Sequence, residues 1–222
     1  AIDVCFCADD LICLKSGEYL AAQENDVLDL SHYIVSGAPG LTIRGGYAGE
    51  GTPGAFADEA TVLRRDKNAV PNAYRRLFHA MNATLTLENL TITEGSLIGG
   101  SGHGLLLATC ATTVRNCVFQ KNGYSVNGGG KNYGGAIYAS GGSLAVEGCT
   151  FDGNLLNTWG DNSENNGGAI YATGVALSVT DSGFIRNWTA NMYQQSYGGA
   201  IFASGGSFTL ENSTFMTNCV IK

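Results

Sequence analysis

The chain has 222 residues, 44% of them apolar, with 32 glycines against 3 prolines and only 14% charged residues. That apolar content supports one buried domain and argues against disorder, while abundant glycine without proline describes a backbone that turns often and tightly. The net charge of −7 argues against a nucleic-acid partner, which needs clustered Lys and Arg, and no apolar run is long enough for a membrane span.

The chain begins at Ala1 rather than Met, which reads as a processed mature protein or a segment of something longer, and no signal peptide is visible. Cys5, Cys7 and Cys13 open the sequence, and Cys110, Cys117, Cys149 and Cys219 follow. None falls into a paired C-x-x-C cluster, so a zinc ribbon is not expected. Disulfides at Cys5, Cys7 and Cys13, formed in an oxidising compartment, are the favoured account, with one thiol left over from the odd count.

Strand-like segments come next. Leu41 to Tyr47 reads as part of one unit, Gly49 to Pro71 as a loop excursion, and Ala83 to Ile92 as another unit with alternating Leu85, Leu87 and Ile92. From Gly104 onward the chain repeats. Gly-Gly-Ala-Ile occurs at Gly134 to Ile137, Gly167 to Ile170 and Gly198 to Ile201. Phe-x-x-Asn occurs at Phe119 with Asn122, Phe151 with Asn154, Phe184 with Asn187 and Phe215 with Asn218. The Phe-to-Phe spacings are 32, 33 and 31 residues. In Gly142 to Phe151, Leu144 and Val146 share one face, and Cys149 with Phe151 share it after a short turn. Runs this short, broken by glycine, leave no room for helices. A strand recurring at one phase pairs in parallel with its copy about 4.8 Å away, and stacking supplies the core that one unit lacks.

The predicted fold is therefore all-β, a right-handed parallel β-helix with about three short strands and three turns per coil. One domain covers 1–222, with irregular coils over 1–100 and regular ones over 101–222. Three residues before each Phe, or before Ile92, stand Asn89, Asn116, Gly148, Asp181 and Asn212, the residue types that tolerate a left-handed turn. Asn122, Asn154, Asn187 and Asn218 read as an internal amide ladder. Cys117, Cys149, Ser182 and Ser213 share one inward column. A bridge between the first two fits the geometry, but a stack of small residues is the simpler account.

These motifs carry a resemblance. Gly-Gly-Ala-Ile alternating with Phe-x-x-Asn resembles the polymorphic outer membrane protein repeat of bacterial surface proteins and autotransporter passenger domains, over Gly104 to Asn218 above all. Gly45-Gly-Tyr-Ala-Gly49 is reminiscent of the same family, and Asp10 to Tyr19 resembles the first turn of many pectate-lyase-like β-helices. The resemblance implies the fold and an extracellular or cell-surface location; its motif residues are structural and name no ligand.

Between the two motifs lie polar inserts, Gly123 to Tyr133, Leu155 to Asn166 and Trp188 to Tyr197, which equal phase puts on one side of the solenoid. They hold Tyr124, Tyr133, Trp159, Trp188, Tyr193 and Tyr197 among many amides. Such a surface suits a glycan or a protein partner, and the plain alternative is that the rings pack on each other to stiffen long loops. The enzyme reading is a polysaccharide lyase or hydrolase. It needs a base beside a calcium site or two facing carboxylates. Asp152, Asp161, Glu164, Lys121, Lys131, Arg115 and Arg186 are the candidates, but they stand singly and form no column, so no catalytic residue, metal or cofactor is assigned. His32, His79 and His103 read as surface or loop residues.

Glycosylation sequons start at Asn82, Asn89, Asn187 and Asn212. Asn89 and Asn212 lie in the exposed turn column and Asn187 in the ladder, so Asn89 and Asn212, with Asn82, are the candidate sites. The last motif is followed only by Cys219 to Lys222, which predicts either more chain or end-to-end self-association into a filament, with Ile2, Val4, Phe6 and the first cysteines as the cover. The expected role is structural or adhesive.

Overall fold

The computed structural model describes residues 4–7, 11–21, 28–29, 40–48, 60–65, 76–97, 99–126, 130–158, 163–191 and 195–221. Among them every regular element is a strand, and nearly every pairing is parallel between one coil and the next, which makes a parallel β-helix. The largest sheet runs through Leu11–Lys15, Leu41–Tyr47, Thr84–Glu88, Leu105–Arg115, Ile137–Glu147, Ile170–Thr173 and Ile201–Ser204. A second sheet holds Gly17–Ala21, Thr61–Arg65, Leu90–Thr93, Val118–Gln120, Thr150–Asp152, Gly183–Ile185 and Thr214–Met216. Val4–Cys7 is the exception, pairing antiparallel with Leu11–Lys15 at the sheet edge.

The inward columns stand where the repeat phase puts them. Phe119, Phe151 and Phe184 are wholly buried and stack in register with Phe215, ring centroids 4.9, 4.7 and 4.8 Å apart and planes within 4° of parallel. Ile92 holds the Phe position one coil earlier. Asn89, Asn116, Gly148, Asp181 and Asn212 all have positive φ, from 46° to 61°. Each ladder asparagine works twice. The Oδ1 of Asn154 accepts the backbone N–H of Asn122 at 3.0 Å and its side-chain amide at 3.1 Å, while the Nδ2 of Asn154 donates to the Phe119 carbonyl at 2.9 Å. Asn187 and Asn218 repeat the arrangement. The ladder thus satisfies turn groups that would otherwise be buried without partners.

The Gly-Gly pairs have a steric cause. Gly134, Gly167 and Gly198 sit at φ 66°, 71° and 62°. A Cβ on Gly135 would lie 2.2 Å from the Gly168 carbonyl oxygen of the next coil, and one on Gly168 would lie 2.1 Å from that of Gly199. The first glycine supplies the left-handed turn and the second lets adjacent coils approach.

The structure departs from the sequence reading in several places. Thr61–Arg65 lies inside the expected loop excursion yet is a strand, with Thr61 and Leu63 buried. The rest of 49–59 and 66–71 lies outside the described residues. The polar inserts also form strands. Gly123–Val126, Leu155–Thr158, Trp188–Asn191 and Cys219–Ile221 build a third sheet, and Lys131–Tyr133, Glu164–Asn166 and Ser196–Tyr197 a fourth. Cys13, expected in a disulfide, is a buried free thiol that the antiparallel register sets opposite Cys5. Cys117 and Cys149 are free and buried, in the small-residue column with Ser182. In the last described coil Phe208, Leu210 and Phe215 are 46%, 46% and 42% exposed, although their counterparts Leu177, Val179 and Phe184 one coil earlier are core.

Candidate functional site

The fourth sheet turns into the largest one through each Gly-Gly pair, and this corner gathers aromatic side chains on the outer surface. After Ile137, Ile170 and Ile201 of the core, the alternation of a strand points the next residue outward. Those residues are Tyr138, Tyr171 and Phe202. Tyr138 and Tyr171 stack at 5.4 Å with planes 3° apart, and Tyr171 and Phe202 at 5.1 Å with planes 7° apart. From the preceding turn Tyr133 lies over Tyr171 at 4.6 Å and beside Tyr138 at 6.5 Å, and Tyr197 tilts toward Phe202 at 6.3 Å.

The polar edge of this five-ring cluster is charged. The Tyr133 hydroxyl donates to Glu164 at 2.9 Å, and Lys131 sits 3.3 Å from the same carboxylate. Partial burial, then the hydrogen bond to Glu164, pushes the Tyr133 phenol well above its usual range. Burial also raises Tyr171, beside Tyr138 and Glu164. Partial burial acts on Glu164 in the opposite sense, but hydrogen bonds from Tyr133 and Lys131 hold its carboxyl below the usual range. The Tyr133 and Tyr171 phenols therefore stay protonated at neutral pH.

Of the residues expected at a binding surface, the structure brings together Tyr133 and Tyr197. Trp188 is half-buried in the third sheet, in register with Leu155 and Cys219, rather than at the corner. Tyr124 is placed by its backbone in the strand Gly123–Val126. Trp159 and Tyr193 lie outside the described residues. Tyr138, Tyr171 and Phe202 were missed, although an aromatic residue follows Gly-Gly-Ala-Ile in all three copies.

Among the described residues, the insert asparagines are turned inward. Asn132, Asn157, Asn165, Asn166 and Asn191 are buried. Asn132 donates to Asn165 at 3.2 Å, Thr158 donates to the same Asn165 oxygen at 3.1 Å, and Asn191 donates to the Ser163 carbonyl at 2.7 Å. A backbone that stacks short strands away from the apolar core needs such partners, and the amides supply them.

The acidic candidates for catalysis are held in ion pairs. Asp152 pairs with Arg186, Glu164 with Lys131, and Arg115 with Glu147 at 2.6 Å and Glu88 at 3.6 Å. Asp161 lies outside the described residues. No group of three or more His, Cys, Asp or Glu that could hold a metal occurs among the described residues.

His103 departs from its expected surface position. With Leu105 in register with Ile137, it stands at the level of Gly135, the second glycine of the first Gly-Gly-Ala-Ile copy, and is completely buried, its Nδ1 accepting the Leu97 N–H at 2.9 Å. Burial first, and the nearby Arg76 charge second, lower its pKa from 6.5 to about 3. Above pH 6.5 the imidazole is neutral in folded and unfolded chains alike. Below it the unfolded chain takes up a proton that the folded chain refuses, so stability falls by about 1.4 kcal/mol per pH unit until about pH 3. Between pH 7.5 and 5.0 wild type is expected to lose about 2 kcal/mol more than His103→Gln in urea unfolding. Parallel losses would place His103 in solvent.

The sequons separate in the way their phase predicts. Asn82, Asn89 and Asn212 are exposed, with φ of 50°, 55° and 46°, and Asn187 is wholly buried with its amide committed to the ladder.

The fold and its outer corner define a class, a parallel β-helix with a surface aromatic column. Comparison with protein-family models, curated proteins and solved structures finds no match to this chain.

Proposed function

We propose that this chain is an extracellular or cell-surface β-helix with a structural or adhesive role, which engages a glycan or protein partner along the corner formed by Tyr133, Tyr138, Tyr171, Tyr197 and Phe202. The observation that carries the reading is the ring cluster itself. Five aromatic side chains converge outside the core, Tyr197 being 48% exposed. Contiguous aromatic surface of this kind marks interaction sites, and rigid rings with hydroxyl donors contribute contact at low entropic cost. The repeat resemblance supports the location, and the exposed sequons at Asn82, Asn89 and Asn212 are open to glycosylation where the source performs it. End-to-end self-association belongs to the same reading, and sedimentation as a concentration-independent monomer would be the contrary result.

The binding test uses a glycan array and an array of extracellular-matrix proteins, probed with wild type and with a Tyr138→Ser/Tyr171→Ser variant. Wild type is expected to bind members of one array, and the variant to lose at least tenfold in affinity while its strand circular dichroism is retained. Equal signals from both proteins would remove the corner from the binding surface. The alternative, a carbohydrate-active enzyme, is read in parallel from release of reducing ends or unsaturated uronides from a polysaccharide panel. Sustained turnover there would replace the adhesive reading.

A further inference from the structure

We propose that Cys117 and Cys149 form an inter-coil cross-linking site, closing a disulfide that staples one coil to the next when the chain folds in an oxidising compartment. The site is independent of the aromatic corner. The two residues immediately precede the paired Val118 and Thr150, so they are direct neighbours on adjacent coils. In-register residues of parallel strands have Cα atoms about 4.8 Å apart, within the range of about 4.4–6.8 Å that a disulfide spans. Both side chains are buried, 1% exposed, and both are free thiols.

Each thiol is the largest influence on the other, raising Cys117 well above the ordinary thiol range and lowering Cys149. Both side chains lean toward the coil before their own, Cys149 donating to the Val114 carbonyl at 3.4 Å and Cys117 to the Leu87 carbonyl at 3.6 Å, so the Cys149 sulfur lies on the Cys117 side and closing the bridge needs only Cys117 to turn back toward it. Cys110 and Cys219 have no such neighbour, being in register with Gly142 and Trp188.

The chemistry needs a disulfide oxidant, for which oxidised glutathione serves. The Cys149 thiolate attacks one glutathione sulfur, forming a mixed disulfide and expelling a glutathione thiolate. Cys117 then loses its proton and attacks the Cys149 sulfur, expelling the second glutathione. Two protein S–H bonds become one S–S bond, and the oxidant takes up the two electrons and two protons. Because the interior is closed once packed, the step belongs to folding rather than to the finished solenoid.

The column supplies its own control. Ser182 and Ser213 occupy the same position in later coils, each hydroxyl donating at 2.8 Å to the carbonyl two residues before it. Cys117→Ser therefore keeps a side chain that the column already accepts. Reduced, denatured chain is refolded with reduced and oxidised glutathione, alkylated, and cut with trypsin without reductant. A second sample is exported to a bacterial periplasm and treated alike. The expected product is the peptide Asn116–Lys121 linked to Asn132–Arg186, lighter by two hydrogens than the separate peptides. The melting temperature of wild type should fall by roughly 5–10 °C on reduction, and Cys117→Ser should lose that share of the redox dependence. Recovery of the two peptides separately alkylated from both folded samples would overturn the proposal, as would a redox dependence in Cys117→Ser equal to that of wild type.

Discussion

Phe151→Ala is expected to cost about 3–5 kcal/mol of stability, read as a fall in the urea midpoint. The ring lies between two others, 4.9 Å from Phe119 and 4.7 Å from Phe184, with no exposed surface. Its removal leaves two ring faces uncovered in a cavity that backbone ladders above and below keep from collapsing. Phe215 occupies the same column but is 42% exposed, so Phe215→Ala should lose clearly less. Equal costs at the two positions would mean the column is not one continuous stack, and an unchanged midpoint for Phe151→Ala would put that ring in solvent.

Asn154→Ala is expected to cost about as much, roughly 3–6 kcal/mol, for a different reason. The substitution strands the Asn122 N–H, the Asn122 side-chain amide and the Phe119 carbonyl, all of which Asn154 partners at 2.9 to 3.1 Å. Each buried group left without a partner costs about 1–3 kcal/mol. Asn218→Ala, at the less buried end of the ladder, strands fewer enclosed groups and should lose less. A loss for Asn154→Ala below about 1 kcal/mol, the net worth of an ordinary hydrogen bond, would show that solvent reaches this turn.

The inward half of the solenoid was legible in the sequence because each of its columns needs a narrow residue type. Left-handed turns admit Asn, Asp and Gly at 89, 116, 148, 181 and 212. The amide ladder needs Asn at 122, 154, 187 and 218, and the ring stack repeats Phe. Such demands recur at fixed phase, so repetition exposes them. The inserts read as loops because most of their buried residues are polar. Asn132, Asn165 and Asn191 break the apolar alternation by which strands are recognised, although their amides bond to each other and to the backbone. Thr61–Arg65 was hidden similarly, since only Leu63 gives its inner face an apolar side chain and Thr61 does the other inward work, accepting the Gly46 N–H at 2.8 Å. His103 was misplaced because burial of an imidazole depends on a turn geometry that its neighbours in sequence do not announce.

The outer column is an instructive miss. Tyr138, Tyr171 and Phe202 follow the motif at one phase, the same signal that locates the Phe stack, but as outward residues they answer to no packing demand of the core. Under the proposed binding role, their stacking also sets what a partner would meet. The nearly parallel rings cover one another's faces, so the surface offers ring edges and the Tyr138 and Tyr171 hydroxyls, with Tyr133 and Tyr197 leaning in from the turn. Contacts at ring edges, the positive part of the ring quadrupole, favour acceptor oxygens over flat stacking.

Ring-to-ring magnetisation transfer in a sample selectively labelled at Phe and Tyr tests most directly the claim that stacked, in-register coils build both the core and the outer corner. Cross-peaks are predicted between Phe119 and Phe151 and between Phe151 and Phe184 for the inner column, and between Tyr138 and Tyr171 and between Tyr171 and Phe202 for the outer one, at the centroid spacings of 4.7 to 5.4 Å. Loss of the outer set alone would leave the fold standing and dissolve the aromatic corner; absence of the inner set in folded protein would contradict the coil register itself.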